Sequence, residues 1–377
     1  MHETPLSRRG RGARSNATGR FETLRRIDAD DGWHLAAESP TARRTRWRVD
    51  RARSVIVRNA SPDLHFDRSI NPYRGCEHGC VYCYARPSHA WLGHSPGLDF
   101  ERLLYAKRDA AERLREELAR PGYARRGGGV RPIALGVNTD AWQPLERELG
   151  ITRAILEVLL EAHHPVYLIT KSSLVERDLD LLGALAEHNL VSATLTLTTL
   201  DHELARRLEP RATAPVRRLR TLATLAAAGI PTRVSVSPVI PALNEHEIEA
   251  LLGAAADAGA RGANAIVLRL PHELSTLFSE WLDEHYPLRK ARVLKALRSM
   301  RGGALNDSGF GSRFLGEGPR AELIRRRFER ACRVHGLAFG REVFTLDTSA
   351  FRVPATTGAS GGEADPQLDL FATSPDR

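Results

Sequence analysis

The sequence predicts an α/β chain, a partial (β/α)6 barrel of parallel strands with flexible ends, on three observations. Short β-rich runs alternate with longer segments of helical periodicity. Turn residues punctuate the junctions, and the polar motifs fall just after the strand runs, where α/β barrels carry their chemistry.

The strand runs are 133–137, 166–170, 191–197, 232–237 and 265–270. Each is too short for a helix and dense in Val, Ile, Leu and Thr, which suits a strand buried on both faces. Segments 151–162, 175–188, 217–228 and 245–258 repeat apolar residues at helical spacing, and stops such as His164-Pro165, Gly229-Ile230-Pro231 and Gly259 close them. An initial strand just before Cys76 brings the count to six units. Such repetition specifies a parallel sheet with right-handed crossovers. The expected organisation is a basic, partly disordered arm over 1–55, the barrel over 56–300, a helical extension over 301–354 and a disordered tail over 355–377.

At 377 residues and 42% hydrophobic content the chain can bury one large α/β domain. The formal charge of +9 favours a polyanionic partner, because guanidinium groups release condensed counterions on binding phosphate. Lysine occurs only at Lys107, Lys171, Lys290 and Lys295, so an arginine bias in the coding DNA accounts for the excess equally well. Three of the four cysteines fall within eight residues, which makes a disulfide framework a poor description of the chain and implies a reducing cytosol. No signal-peptide core and no run of eighteen apolar residues is present, so a soluble, cytoplasmic protein without membrane contact is expected.

The segment Ser69-Ile-Asn-Pro-Tyr-Arg-Gly-Cys76-Glu-His-Gly-Cys80-Val-Tyr-Cys83-Tyr-Ala-Arg86 has Cys-x3-Cys-x2-Cys spacing. Soft thiolates select zinc or an iron-sulfur cluster, and either normally takes four protein ligands. A zinc knot would need His78 or His89 as the fourth ligand, yet zinc sites more often pair two separated knuckles. The spacing therefore favours Cys76, Cys80 and Cys83 on three irons of a 4Fe-4S cluster, with the fourth iron open to S-adenosylmethionine (SAM). Cys332, in a helical pattern far downstream, reads as a buried small hydrophobe.

Further motifs follow the later strands: Asn138-Thr-Asp-Ala-Trp-Gln-Pro-Leu-Glu146, Thr170-Lys-Ser-Ser-Leu-Val-Glu-Arg-Asp178, Thr196-Leu-Thr-Thr-Leu-Asp201 with Glu209-Pro-Arg211, and Ser237-Pro-Val-Ile-Pro241 with Asn244. On these residues together the chain from Asn59 to Phe351 resembles the radical SAM superfamily, within it the spore photoproduct lyase-like branch loosely labelled DNA repair photolyases. The resemblance implies an enzyme that cleaves SAM at a 4Fe-4S cluster to start hydrogen abstraction, with a lyase-like or other outcome. It implies SAM contacts at Asn138, Thr139, Asp140, Lys171 and Thr196, an electron donor such as flavodoxin or ferredoxin, and nucleic acid as substrate in DNA repair. Gln143, Glu146, Arg177, Asp178, Glu209 and Arg211 read as supporting pairs at the barrel rim, and Trp142 and Trp281 as base-stacking or core aromatics. Two departures stand out. The Gly-Gly-Glu form of the second-strand motif is replaced by Asn-Thr-Asp, and 137–145 holds no counterpart of the extra cysteine that spore photoproduct lyase uses near its substrate. The alternatives are a radical SAM enzyme acting on a protein or small molecule, and a metal-stabilised nucleic-acid-binding module without catalysis.

The tail carries Gln367-Leu-Asp-Leu-Phe371. It resembles the short peptide by which bacterial replication and repair proteins dock to the DNA sliding clamp, with Gln367, Leu368, Leu370 and Phe371 as the contacts.

Overall fold

The computed structural model describes residues 11–22, 44–125, 129–340 and 344–355. Its strands in chain order are β1 (Arg46–Val49), β2 (Val57–Arg58), β3 (Arg68–Ile70), β4 (Tyr73–Arg74), β5 (Leu103–Ala106), β6 (Ile133–Leu135), β7 (Val166–Thr170), β8 (Val191–Thr196), β9 (Thr232–Val239), β10 (Gly262–Val267) and β11 (Ala338–Phe339). The main sheet runs β11-β10-β9-β8-β7-β6-β3-β2, and a small sheet runs β1-β5-β4.

The six strands β3, β6, β7, β8, β9 and β10 are parallel to their neighbours, as the six-unit reading requires. They are short and almost wholly buried because helices cover the outer face and the core fills the inner one. Helix Ile151–Glu161 shows how the cover is built: Ile151, Ile155, Leu156, Val158 and Leu159 form one buried stripe, each side chain contributing roughly 1.5–3 kcal/mol of burial. Helices Leu179–Glu187, Pro215–Ala227 and Ile248–Asp257 follow the next three strands in the same way.

The last strand lies earlier than the apolar run 265–270 suggests. β10 stops at Val267 because Arg301 takes the carbonyls of Val267 and Leu268, at 3.0 and 2.9 Å, while the Val267 and Leu270 amides donate to Phe314 and Leu305. Leu268 and Leu270 stay buried in this bend.

Two long-range ties shape the mouth at the strand C-termini. Asp63, just before β3, ion-pairs with Arg313 at 2.7 Å and accepts from the Gly311 amide at 2.8 Å. The 301–316 loop thus bridges the two ends of the curled sheet. Residues 11–22, inside the stretch expected as a loose arm, are packed: Ser15 donates to Glu280 at 2.7 Å, Arg20 pairs with Glu273, and Ala13 is fully buried. Among the described residues no helix is long and apolar enough to cross a membrane.

Candidate active site

β4 ends at Arg74, and the chain turns at Gly75 into the loop that carries the three thiols. Gly75 has φ +78°, and a Cβ there would sit 2.8 Å from the Phe100 carbonyl, so only glycine fits. The Cys76 amide donates to that carbonyl at 3.0 Å. Two tight turns follow, with the Cys83 amide on the Cys80 carbonyl at 3.2 Å and the Arg86 amide on the Cys83 carbonyl at 3.1 Å. Cys76 and Cys80 are buried and Cys83 is half-buried.

Three clamps hold this loop. Gln143, from the second-strand motif, accepts from the Glu77 amide at 2.8 Å and donates to the Gly75 carbonyl at 3.3 Å. Arg86 spends its guanidinium inside the loop, donating to the carbonyls of Cys80 at 2.8 Å, Gly79 at 3.0 Å, Gly97 at 2.9 Å and Pro96 at 3.1 Å, and pairing with Glu101. Glu101 in turn accepts the amides of Arg11 and Ala13, both at 2.7 Å, and of Gly12 at 3.1 Å. Gly12 approaches so closely that a Cβ on it would lie 1.9 Å from the Gly79 carbonyl. The third clamp is Tyr82, whose hydroxyl donates to Glu209, a carboxylate that also accepts from Thr198 at 2.6 Å and pairs with Arg218. Burial would raise the Glu209 carboxyl, but Arg218, Lys171 and these hydrogen bonds bring it down to about 2. Arg211, two residues along, pairs instead with Glu77 at 2.7 Å.

The structure gathers the SAM-contact candidates on the ends of β6, β7 and β8 beside this loop. Asp140 is heavily engaged: it accepts from the Trp142 amide at 2.9 Å, the Thr170 hydroxyl at 2.8 Å and the Lys171 amide at 2.8 Å, and lies 3.4 Å from His78. Thr139 donates its hydroxyl to the Tyr73 carbonyl at 2.8 Å. The backbone amides of Asn138 and Thr139 both donate to the Asn71 side chain, and Asn138 is half-buried. Thr196 is buried at the end of β8, with its carbonyl on Arg218. Lys171 has its ammonium 6.0 Å from the Tyr82 ring centre and no ion pair among the described residues. Its burial opposes charge, yet its closeness to Cys80 and to the Glu209 and Asp140 carboxylates outweighs that and raises its pKa.

The remaining rim residues form one supporting network. Arg177 bridges Glu146 and Asp178, both at 2.8 Å; Glu146 accepts from the Thr152 amide at 3.0 Å and from Tyr73; Trp142 donates its indole N–H to Asp178 at 2.9 Å. Trp142 and Trp281 are both fully buried, which settles them as core aromatics rather than base-stacking ones. Asn244 ties the chain after β9 to the Thr198 and Pro238 carbonyls at 2.8 and 3.0 Å. Sequence reasoning passes over Arg86, Glu101 and the Gly12 approach. Arg86 ends the cysteine motif, but nothing local marks its partner fifteen residues on.

The radical SAM superfamily model matches residues 70–255, from the end of β3 into the helix after β9. The chain belongs to the radical SAM superfamily. It is 36% identical over 237 residues to an uncharacterized protein of Mycobacterium tuberculosis (strain ATCC 25618 / H37Rv), covering 62% of this chain and 68% of that one. An uncharacterized protein of Methanocaldococcus jannaschii is 29% identical over 178 residues, covering 47% of this chain and 62% of that one. Among solved structures, a spore photoproduct lyase variant with bound AdoMet and dinucleoside spore photoproduct superposes with a TM-score of 0.58 at 14% identity, covering 77% of this chain and 80% of that one. At that identity the likeness shows a shared fold.

Radical SAM enzymes generally use a 4Fe-4S cluster and SAM, and the donor set here fits that pair. Three soft thiols lie on one loop, and the remaining cysteine, Cys332, is buried in helix Gly318–Val334. Among the described residues no three His, Cys, Asp or Glu side chains gather as ligands for one ion. Cys76, Cys80 and Cys83 would hold the cluster from one loop, and the cluster would supply the electron for SAM cleavage. Burial raises the Cys80 thiol to about 12 and the Cys76 thiol well above its usual value, so iron binding is coupled to loss of their protons.

Proposed function

We propose that this radical SAM enzyme holds a 4Fe-4S cluster through Cys76, Cys80 and Cys83, cleaves SAM reductively there, and directs the resulting hydrogen abstraction at nucleic acid in DNA repair. When bound, the cluster supplies the electron that breaks a SAM carbon–sulfur bond. Lys171 pairs with the SAM carboxylate as a compact cation, the half-exposed Asn138 and the buried Thr196 supply hydrogen bonds, and Asp140 positions Lys171 through its backbone amide.

One observation carries the substrate class, a row of alternating cations and rings that begins beside Cys83. The Arg269 guanidinium lies 5.5 Å from the Tyr84 ring centre and 5.8 Å from that of Phe314, and Arg313 lies 4.7 Å from Phe314 and 5.0 Å from Phe310. Tyr84 and Phe310 are exposed, and the Tyr84 hydroxyl donates to the Val137 carbonyl past the end of β6. Exposed rings interleaved with guanidinium groups suit stacking of unpaired bases and contact with phosphate. The tail residues Gln367, Leu368, Leu370 and Phe371 lie outside the described residues, and a sliding-clamp partner rests on their spacing alone.

The deciding experiment uses reduced, cluster-loaded protein with SAM and deuterated oligonucleotides, intact or ultraviolet-irradiated. Mass spectrometry is expected to find deuterium in 5′-deoxyadenosine or recovered SAM. SAM cleavage that is indifferent to every nucleic acid, with no deuterium transfer, would overturn the substrate assignment while leaving the cluster chemistry standing. Lys171→Met is expected to weaken SAM binding, read by calorimetry, on the order of tenfold or more, the scale of a lost charge-assisted hydrogen bond.

A further inference from the structure

On the small sheet, away from the thiols, lies a cavity of about 510 Å³ lined by Val49, Arg51, Ala52, Arg53, Arg108, Asp109 and Arg113. Four guanidinium groups thus face one carboxylate. That carboxylate is already committed, since Arg113 binds Asp109 at 3.3 Å and Glu116 at 3.0 Å. The neighbouring Asp50 is likewise taken, by Arg74 at 2.7 Å. Arg51, Arg53 and Arg108 are exposed, and their guanidinium groups make no hydrogen bond or ion pair among the described residues. Arg108 lies 5.9 Å from the Trp47 ring centre, which steadies its plane without neutralising it. Helix Ala110–Ala119 begins at the rim, adding the partial positive charge of its first turn.

Three guanidinium groups without an acidic partner among the described residues repel each other around one concavity, and a polyanion relieves that repulsion while releasing its own counterions. The sheet also sets the distance from this cavity to the chemistry. Val49 is paired with Ala106, and Ala106 with Tyr73, so the strand that leads into the cysteine loop lies two strand spacings, roughly 10 Å, from the cavity wall. That span is on the order of three nucleotides along one strand of a duplex.

We propose that this arginine cavity grips the phosphodiester backbone of the nucleic-acid substrate while the reacting residue sits in the barrel mouth. The assignment rests on the nucleic-acid reading above and adds the place where the polymer is held. Guanidinium contacts of this kind carry affinity and register, whereas the ring-bearing mouth meets the bases.

The test is fluorescence anisotropy of the full chain with labelled single-stranded and duplex oligonucleotides across a salt series. The triple variant Arg51→Gln/Arg53→Gln/Arg108→Gln is expected to bind more weakly, with the slope of log affinity against log salt reduced by about 2–3, the loss of three phosphate contacts. A control with the same charge change on outer helices, Arg220→Gln/Arg298→Gln/Arg330→Gln, is expected to keep the wild-type slope. Equal weakening in both triples means diffuse charge and overturns the cavity, as does a cavity triple that binds like wild type; in both cases the nucleic-acid reading survives. Wild-type protein that binds no oligonucleotide overturns the cavity and the nucleic-acid reading together. Displacement of the oligonucleotide by pyrophosphate at equal phosphate concentration, or by phosphatidylserine vesicles, assigns the cavity to a small phosphate ligand or a lipid surface and likewise overturns a polymer grip. Thermal melts of all three proteins establish that each variant is folded.

Discussion

Alanine at any one of Cys76, Cys80 or Cys83 is expected to abolish both the visible iron-sulfur absorbance of anaerobically reconstituted protein and its cleavage of SAM. The loop has three thiols for three irons and no spare: the fourth cysteine, Cys332, is fully buried in helix Gly318–Val334. Cys332→Ala is expected to retain iron and turnover, at the modest cost of a small cavity. Loss of cluster in the Cys332 variant equal to that in the other three would refute the three-ligand assignment.

The second large effect is on stability. Arg86 and Glu101 have fully buried side chains and pair with each other beneath the cysteine loop. Arg86→Met leaves the Glu101 carboxylate buried with only backbone amides for partners, and removing one member of a buried pair costs about 3–5 kcal/mol. The midpoint of urea unfolding is expected to fall accordingly. The freed carbonyls of Gly79 and Cys80 lose their donors, so the variant is also expected to release iron faster to a chelator than wild type does. A wild-type urea midpoint in Arg86→Met would show that the pair contributes nothing net.

The parts of the site that the sequence discloses are those whose physics is local. β7 occupies 166–170 as read, because a five-residue apolar run bounded by His164-Pro165, buried at Val166, Leu168 and Thr170, is too short for a helix and suits a covered strand. The cysteine loop is legible for the same reason, since ligand spacing is set within eight residues. What escapes is pairing over distance. Glu209 has Arg211 two positions away in the sequence, yet its partner is Arg218, which reaches it from the first turn of helix Pro215–Ala227. Asp140 looks like a free ligand in the linear motif, but the fold surrounds it with the donors of Trp142, Thr170 and Lys171. Charge density at the N-terminus reads as a loose arm, although residues 11–13 are drawn in by one acid ninety positions away. β10 is displaced for the same reason: the groups that end it come from Arg301 and the loop behind it, not from the run itself.

The bridge between the two ends of the sheet sets an order on folding. Ser61 and Asp63 meet Arg313 and Gly311 across about 250 positions, so this closure carries a loop-entropy cost that local strand–helix pairing avoids. The barrel wall can therefore assemble unit by unit while its rim is still open, and the 301–316 loop docks late. The loop also holds the end of β10, through the buried Arg301 guanidinium on the Val267 and Leu268 carbonyls and through the Phe314 and Leu305 carbonyls, so closing the rim and fixing the last strand are one event.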